Sequence, residues 1–276
     1  QKTLNNSIII SGHKGIGKNY FVSFIIKEFV KITLFTDNLN YHYNLIDNNS
    51  HPNFKYVSKE IDEKTKKLKK YITIDQIRKL NNFIYEFSSI TSLPKIIIID
   101  SADELNINAS NSILKLLEEP KDNTYIFLIS HQLSSLLPTI RSRCLKIKCL
   151  NHDYDSFKII LNKQFNENND ERIKFLYDIS NGAPGIATQF NEEEITDFFE
   201  KATNSLIDLD PLSKNNINLS SKLAELENDR LKIYISILKF ILLNLNKIKI
   251  IVNIFDNYIS DKIKNLTNIS QNVSQK

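Results

Sequence analysis

Gly12, Gly15 and Gly17, followed by Lys18, form a Gly-x4-Gly-Lys run directly after an apolar segment that ends in Ile8-Ile9-Ile10-Ser11. Glycines reach positive φ without steric cost, so backbone N–H groups can converge on an anion at the start of a helix. Lys18 adds a compact charge for the β- and γ-phosphates of a nucleotide, and the spacing is that of a phosphate-cradling P-loop. Asn19 stands where Ser or Thr would offer a hydroxyl to Mg²⁺, which weakens the expected metal contact. A second signal is Lys95-Ile-Ile-Ile-Ile-Asp100, an apolar strand ending in a carboxylate suited to the metal's hydration shell beside such a loop. The next residue is Ser101, and a hydroxyl is no general base comparable to a Glu, so hydrolysis is expected to be weak or absent. Asp103 and Glu104 lie past the strand end and are not expected to substitute.

The elements that must position these groups alternate. Strand-like runs at 8–11, 54–57, 95–100, 125–130 and 145–149 are separated by helical patterns, the signature of an α/β fold with a parallel sheet. Phe21, Phe24, Ile25, Ile26 and Phe29 give residues 19–31 one helical face. Residues 75–87 predict a second helix with Asp75 as N-cap, and residues 108–119 a third, ended by Pro120. Ile96 to Ile99 are apolar on both faces, which predicts a central strand covered by helices on each side. After Cys149 the pattern becomes helical, with helices expected at 153–165 and 171–179 and a break at Asn181-Gly-Ala-Pro-Gly185. Leu206 with Leu209 and Leu223 with Leu226 lead into a face of Leu231, Tyr234, Leu238, Ile241, Leu242 and Leu245. Three parts are expected: a nucleotide-binding domain at 1–150, a small helical lid at 151–195 and a helical collar at 196–276, whose polar end from 265 frays.

With 276 residues, 41% hydrophobic and 25% charged, the composition is that of a water-soluble protein of more than one domain, and a net charge of +4 favours acidic partners without naming one. Cys144 and Cys149 read as reduced thiols on opposite faces of one strand. The longest apolar run, 233–245, is broken by Ser236, Lys239 and Asn244 and is too polar to span a bilayer. No signal peptide is expected before the first strand, and the chain is expected to be cytoplasmic. No Met occurs, even at position 1, so the sequence is expected to begin past the natural start or to follow a processed chain.

Four segments in fixed order carry a resemblance: Gly12 to Lys18, Asp100-Ser-Ala-Asp-Glu-Leu-Asn, Asn111-Ser-Ile-Leu-Lys-Leu-Leu-Glu-Glu-Pro120 and Leu137-Pro-Thr-Ile-Arg-Ser-Arg-Cys144. Together they resemble the AAA+ clamp-loader subunits of bacterial DNA polymerase III. His51-Pro-Asn-Phe, Ile72-Thr-Ile-Asp-Gln-Ile-Arg78 and Asn181-Gly-Ala-Pro-Gly185 make the delta-prime type the nearest, over residues 1–190.

The resemblance implies an AAA+ P-loop domain with a helical lid and collar, acting in DNA replication. Other clamp-loader subunits, of gamma/tau and delta types, are the implied partners, with the sliding clamp and primed DNA reached through the complex and no membrane involved. Arg143 is implied to be an arginine finger presented in trans to ATP on a neighbouring subunit, with Arg141 as its competitor. Ser130 takes the place of a polar sensor, while Ile186 stands where a second sensor would carry Arg. The implied cofactor is ATP or ADP with Mg²⁺, which would involve Gly12, Gly15, Gly17, Lys18, Asn19, Asp100 and Ser130; Asn19 and Ser101 argue against turnover. Relatives often carry a four-cysteine zinc module, but residues 20–94 hold no Cys and no zinc is expected. In its place is the stretch 59–70, read as a solvated loop or hairpin, the alternative being contact with a DNA backbone. A gamma/tau-like ATPase motor is the alternative function, and a free-standing AAA+ repair motor is disfavoured by the Ser-Arg-Cys context.

Overall fold

The computed structural model describes residues 6–34, 38–86, 88–190, 192–207, 210, 212–226 and 228–244. It divides into two compact units, residues 1–151 and 152–276. In the first, β1 (Ser7–Ser11), α1 (Lys18–Thr33), α2 (Leu39–Asp47), β2 (Phe54–Val57), α3 (Ile74–Tyr85), β3 (Lys95–Asp100), α4 (Ile107–Glu118), β4 (Thr124–Ser130), α5 (Pro138–Arg143) and β5 (Leu145–Lys148) follow in order. The five strands form one sheet in the order β2-β3-β4-β1-β5. Every pairing is parallel, as the expected α/β class requires.

Side-chain alternation along the strands builds two cores. Ile97 and Ile99 pack with Ile9, Ile126 and Leu128 against Ile77 and Leu80 of α3 and Ile113 and Leu117 of α4. Ile96 and Ile98 pack with Ile8, Ile10 and Phe127 on the other face, against Val22, Ile26 and Val30 of α1. The four-isoleucine strand is thus buried on both faces between β2 and β4, as its sequence predicts. Cys144 belongs to the α3/α4 face and Cys149 to the α1 face, and both are free thiols.

Helices α2, α3 and α4 differ locally from expectation. Helix α3 starts earlier than predicted: its N-cap is Thr73, whose N–H donates to Gln76 Oε1 at 3.0 Å, and Asp75 lies within the first turn. Helix α2 has no counterpart in the sequence reading, and α4 is capped by Asn106, whose Oδ1 accepts the Ala109 N–H at 2.8 Å. The stretch 59–70 folds back on itself through an Ile61–Leu68 antiparallel bridge and a Lys69–Glu60 ion pair of 3.0 Å, in line with the solvated-hairpin reading.

The second unit contains α6 (Tyr154–Phe165), α7 (Asp170–Ser180), α8 (Pro184–Ala187), α9 (Glu192–Ile207), α10 (Lys214–Ala224) and α11 (Asn228–Asn244). Phe157, Ile173 and Phe175 from the expected lid share one apolar cluster with Phe199, Ile237 and Ile241 from the expected collar. The expected lid–collar boundary at residue 195 lies inside α9. Phe87, Leu209, Leu245 and the polar stretch 265–276 lie outside the described residues. No helix among the described residues is long and apolar enough to cross a membrane.

Candidate functional site

The glycine loop leaves the carboxyl end of β1 between two neighbours that hold its base. Gly12 N–H donates to Ser130 O at 3.2 Å, and Cys149 N–H donates to Ser11 O at 2.7 Å. Gly12 has φ 155°, and a Cβ there would lie 2.5 Å from Cys149 O and 2.7 Å from Ile16 Cδ1, so any larger residue displaces backbone. Gly15 and Gly17 adopt φ 81° and 90°, and Gly17 caps α1. The loop therefore has the left-handed turns that its glycines predict.

Lys18 opens α1 with only 4% of its surface exposed. Its ammonium donates to Gly12 O and His13 O, each at 2.6 Å, and so braces the loop from inside. Burial lowers its pKa, opposed by the charges of Asp100 and Asp103 and by Cys149. Beside the loop lies a cleft of about 530 Å³, lined in part by Gly12, His13, His131, Leu133, Cys149 and Leu150.

Asp100 ends β3 on the α1 side of the sheet, because it shares the alternation of Ile96 and Ile98. Tyr56 lies on the same side, since its register partner on β3 is Ile98 and it packs against that core. Tyr56 Oη donates to Asp100 Oδ2 at 2.8 Å and accepts from Asn19 Nδ2 at 3.1 Å. Burial first, and then the adjacent Asp100 carboxylate, push the Tyr56 pKa far upward, so this hydroxyl keeps its proton. The donor set does not fit Mg²⁺: position 19 has no hydroxyl, its amide is engaged, and Asp100 Oδ2 accepts the phenol's hydrogen bond.

Ser101 is 2% exposed, and its Oγ has no hydrogen-bond partner among the described residues. A hydroxyl enclosed in this way cannot orient an attacking water. Ser130 is fully buried and donates its hydroxyl to Asp103 Oδ1 at 2.8 Å. Asp103 also accepts the His131 N–H and, at 2.7 Å, the Ser135 hydroxyl, so it fixes the turn after β4. The sequence reading set Asp103 aside and did not single out Tyr56, although these two organise the Asp100 and Ser130 ends of the site. An Asp three positions after the strand carboxylate was the available signal for the first. For Tyr56 there was none, because its partners lie 37 and 44 residues away.

Arg143 lies apart from this cluster, just before the amino end of β5, whereas the loop sits at the carboxyl ends of the strands. Its guanidinium donates to Thr139 O at 2.9 Å and pairs with Glu118 Oε1 at 2.6 Å, with about a third of the side chain exposed. Arg141 Nε is buried with no hydrogen-bond partner among the described residues.

The family described as DNA polymerase III, delta subunit, matches residues 1–153. A DNA polymerase III subunit delta' from Pseudomonas aeruginosa is 39% identical over 100 residues, 36% of this chain and 28% of that protein. A subunit delta' from Bacillus subtilis is 31% identical over 157 residues, 46% of this chain and 47% of that protein. A DNA polymerase III subunit gamma from Buchnera aphidicola subsp. Schizaphis graminum is 30% identical over 152 residues, 54% of this chain and 38% of that protein. The chain spans less than half the length of each of these relatives. The crystal structure of a DNA polymerase III gamma subunit-related protein from Thermotoga maritima is 17% identical, covers 98% of this chain and 94% of its own, and superposes with a TM-score of 0.47. With more than half of its residues matched, this chain belongs to the DNA polymerase III delta subunit family, where it is most like the delta-prime subunits.

Proposed function

We propose that the chain is a non-motor subunit of a DNA polymerase III clamp loader, which assembles with other subunits and helps load a sliding clamp onto primed DNA. The observation that carries this reading is the residue after the strand carboxylate: Ser101 is buried where a motor needs a water-activating Glu. The engaged Asn19 amide and Asp100 carboxylate support the same reading, and they count against a gamma/tau-like motor. The helical residues 152–244 would join the ring of subunits as lid and collar.

In this role Arg143 acts on a neighbour's ATP. A guanidinium placed against a γ-phosphate neutralises the charge that develops as the terminal phosphoryl group departs, and it does so best where water is excluded. The Glu118 pair would hold the Arg143 guanidinium until a phosphate competes for it. Arg141, with its Nε buried, is less suited to reach outward.

The test is Arg143→Ala in the assembled complex. Subunit assembly by size-exclusion chromatography should be unchanged, while ATP-dependent clamp loading should fall at least about ten-fold. Arg141→Ala, assayed beside it, should have the smaller effect. Undiminished loading with Arg143→Ala would remove the arginine from the mechanism.

A further inference from the structure

We propose that Tyr56 keeps divalent metal out of this phosphate loop: its hydroxyl, held between the Asn19 amide and the Asp100 carboxylate, fills the position from which Mg²⁺ would join loop, carboxylate and nucleotide. The inference deepens the non-motor reading and rests on it. Hydrogen-bond polarity carries the argument. A phenol has one proton, and Tyr56 directs it at Asp100 Oδ2 in a hydrogen bond. The Asn19 amide can then face the tyrosine oxygen only with its NH₂ group, which turns its one metal-ligating atom, the carbonyl oxygen, elsewhere. Mg²⁺ requires oxygen ligands in near-octahedral array at about 2.0–2.1 Å, and here the Asn19 oxygen is turned away and Asp100 Oδ2 already accepts the tyrosine hydrogen bond, which leaves Oδ1 as the carboxylate oxygen outside the chain of hydrogen bonds.

The strands make this arrangement durable. Tyr56 is paired with Ile98, two residues before Asp100, so the pleat sends both side chains to the face on which α1 begins. Its ring packs against the core that holds Val22 and Ile26, and the hydroxyl stays protonated because burial and the carboxylate both oppose its ionisation. The contact is thus a neutral donor on a carboxylate, at the place where a motor of this fold would hold a dication.

The experiment is an electron paramagnetic resonance titration of Mn²⁺, standing in for Mg²⁺, with ADP and the full chain as wild type, Tyr56→Val and Tyr56→Phe. Thermal melts establish that each variant is folded. The wild type should leave the spectrum that of Mn²⁺–ADP in buffer, and Tyr56→Val should produce a protein-bound signal, with Mn²⁺ held at least about ten-fold more tightly. Tyr56→Phe removes the hydroxyl alone and should shift in the same direction by less; it decides the matter if the valine variant does not fold. Bound Mn²⁺ in the wild type, or no gain in either folded variant, overturns the proposal. Phosphate release from ATP, measured on the same proteins, separates the two readings. Metal binding with turnover in the wild type ends both, whereas an inert wild type with no gain in the variants ends only the tyrosine proposal.

Discussion

His51 is 2% exposed and lies stacked, with ring centroids 4.1 Å apart, on Phe54, which itself stands two residues before Tyr56. Its Nδ1 accepts the Asn53 N–H at 3.2 Å, which places its own proton on Nε2, 3.2 Å from His42 Nδ1. Burial, with a smaller contribution from His42, lowers its pKa from 6.5 to about 4. Between these values the unfolded chain binds a proton that the folded chain refuses, so stability is full above pH 6.5 and falls as pH drops toward 4. From pH 7 to pH 5 this one group should remove about 2 kcal/mol at most. Urea unfolding at the two pH values should show the loss in the wild type and a smaller difference in His51→Gln; equal losses would clear His51 of the effect. At this scale the sequence was readable where chemistry follows local spacing, as in Gly12 to Lys18 and in Asp100 followed by Ser101. It was unreadable where partners meet only through strand register, as Asn19, Tyr56 and Asp100 do.

Helix α4 is held at both ends, since Asn106 caps its start and Glu118 ends it beside Arg143. The Asn106 side chain satisfies an N–H group that the first helical turn leaves without a partner. Asn106→Ala should lower stability by about 1 kcal/mol in chemical denaturation, and Asn106→Asp should restore most of it. A loss with alanine that aspartate does not recover would assign the effect to something other than the cap. The strands were the most legible elements: β2 and β3 have the boundaries expected from their apolar runs. The start of α3 was also written in the sequence, because Thr73-Ile-Asp-Gln76 has the Thr-x-x-Gln spacing of a capping box, a stronger signal than the lone Asp75. Helix α2 was not legible in the same way. Ile46 is its one buried residue among the described positions, too little for a periodic face to stand out.

Each of the two units carries its own core, one pair of clusters spread over the two faces of the sheet and one cluster among the helices. Phe157 is fully buried in the helical cluster, edge-on to Tyr177 at 5.3 Å. Phe157→Ala should cost about 3–5 kcal/mol. Hydrogen exchange read by mass spectrometry should quicken in peptides from residues 154–241 and stay at wild-type rates in β1 and β3; equal quickening in the sheet would mean that the units unfold as one. The α/β class was plain from the alternation of strands and helices, while the joining of 153–179 with 195–241 in one cluster was not, because amphipathic faces do not announce their partners. The strand order has a consequence in time as well as in space. β1 is made before the other four strands of its sheet, yet its neighbours β4 and β5 begin only at Thr124 and Leu145. At about 5–20 residues per second, a growing chain holds Ile8, Ile9 and Ile10 without a strand partner for roughly 6–23 seconds. The loop at the end of β1 cannot take its shape until Ser130 and Cys149 have been added, so a motif synthesised ahead of the rest of its sheet is among the last parts of that sheet to be built.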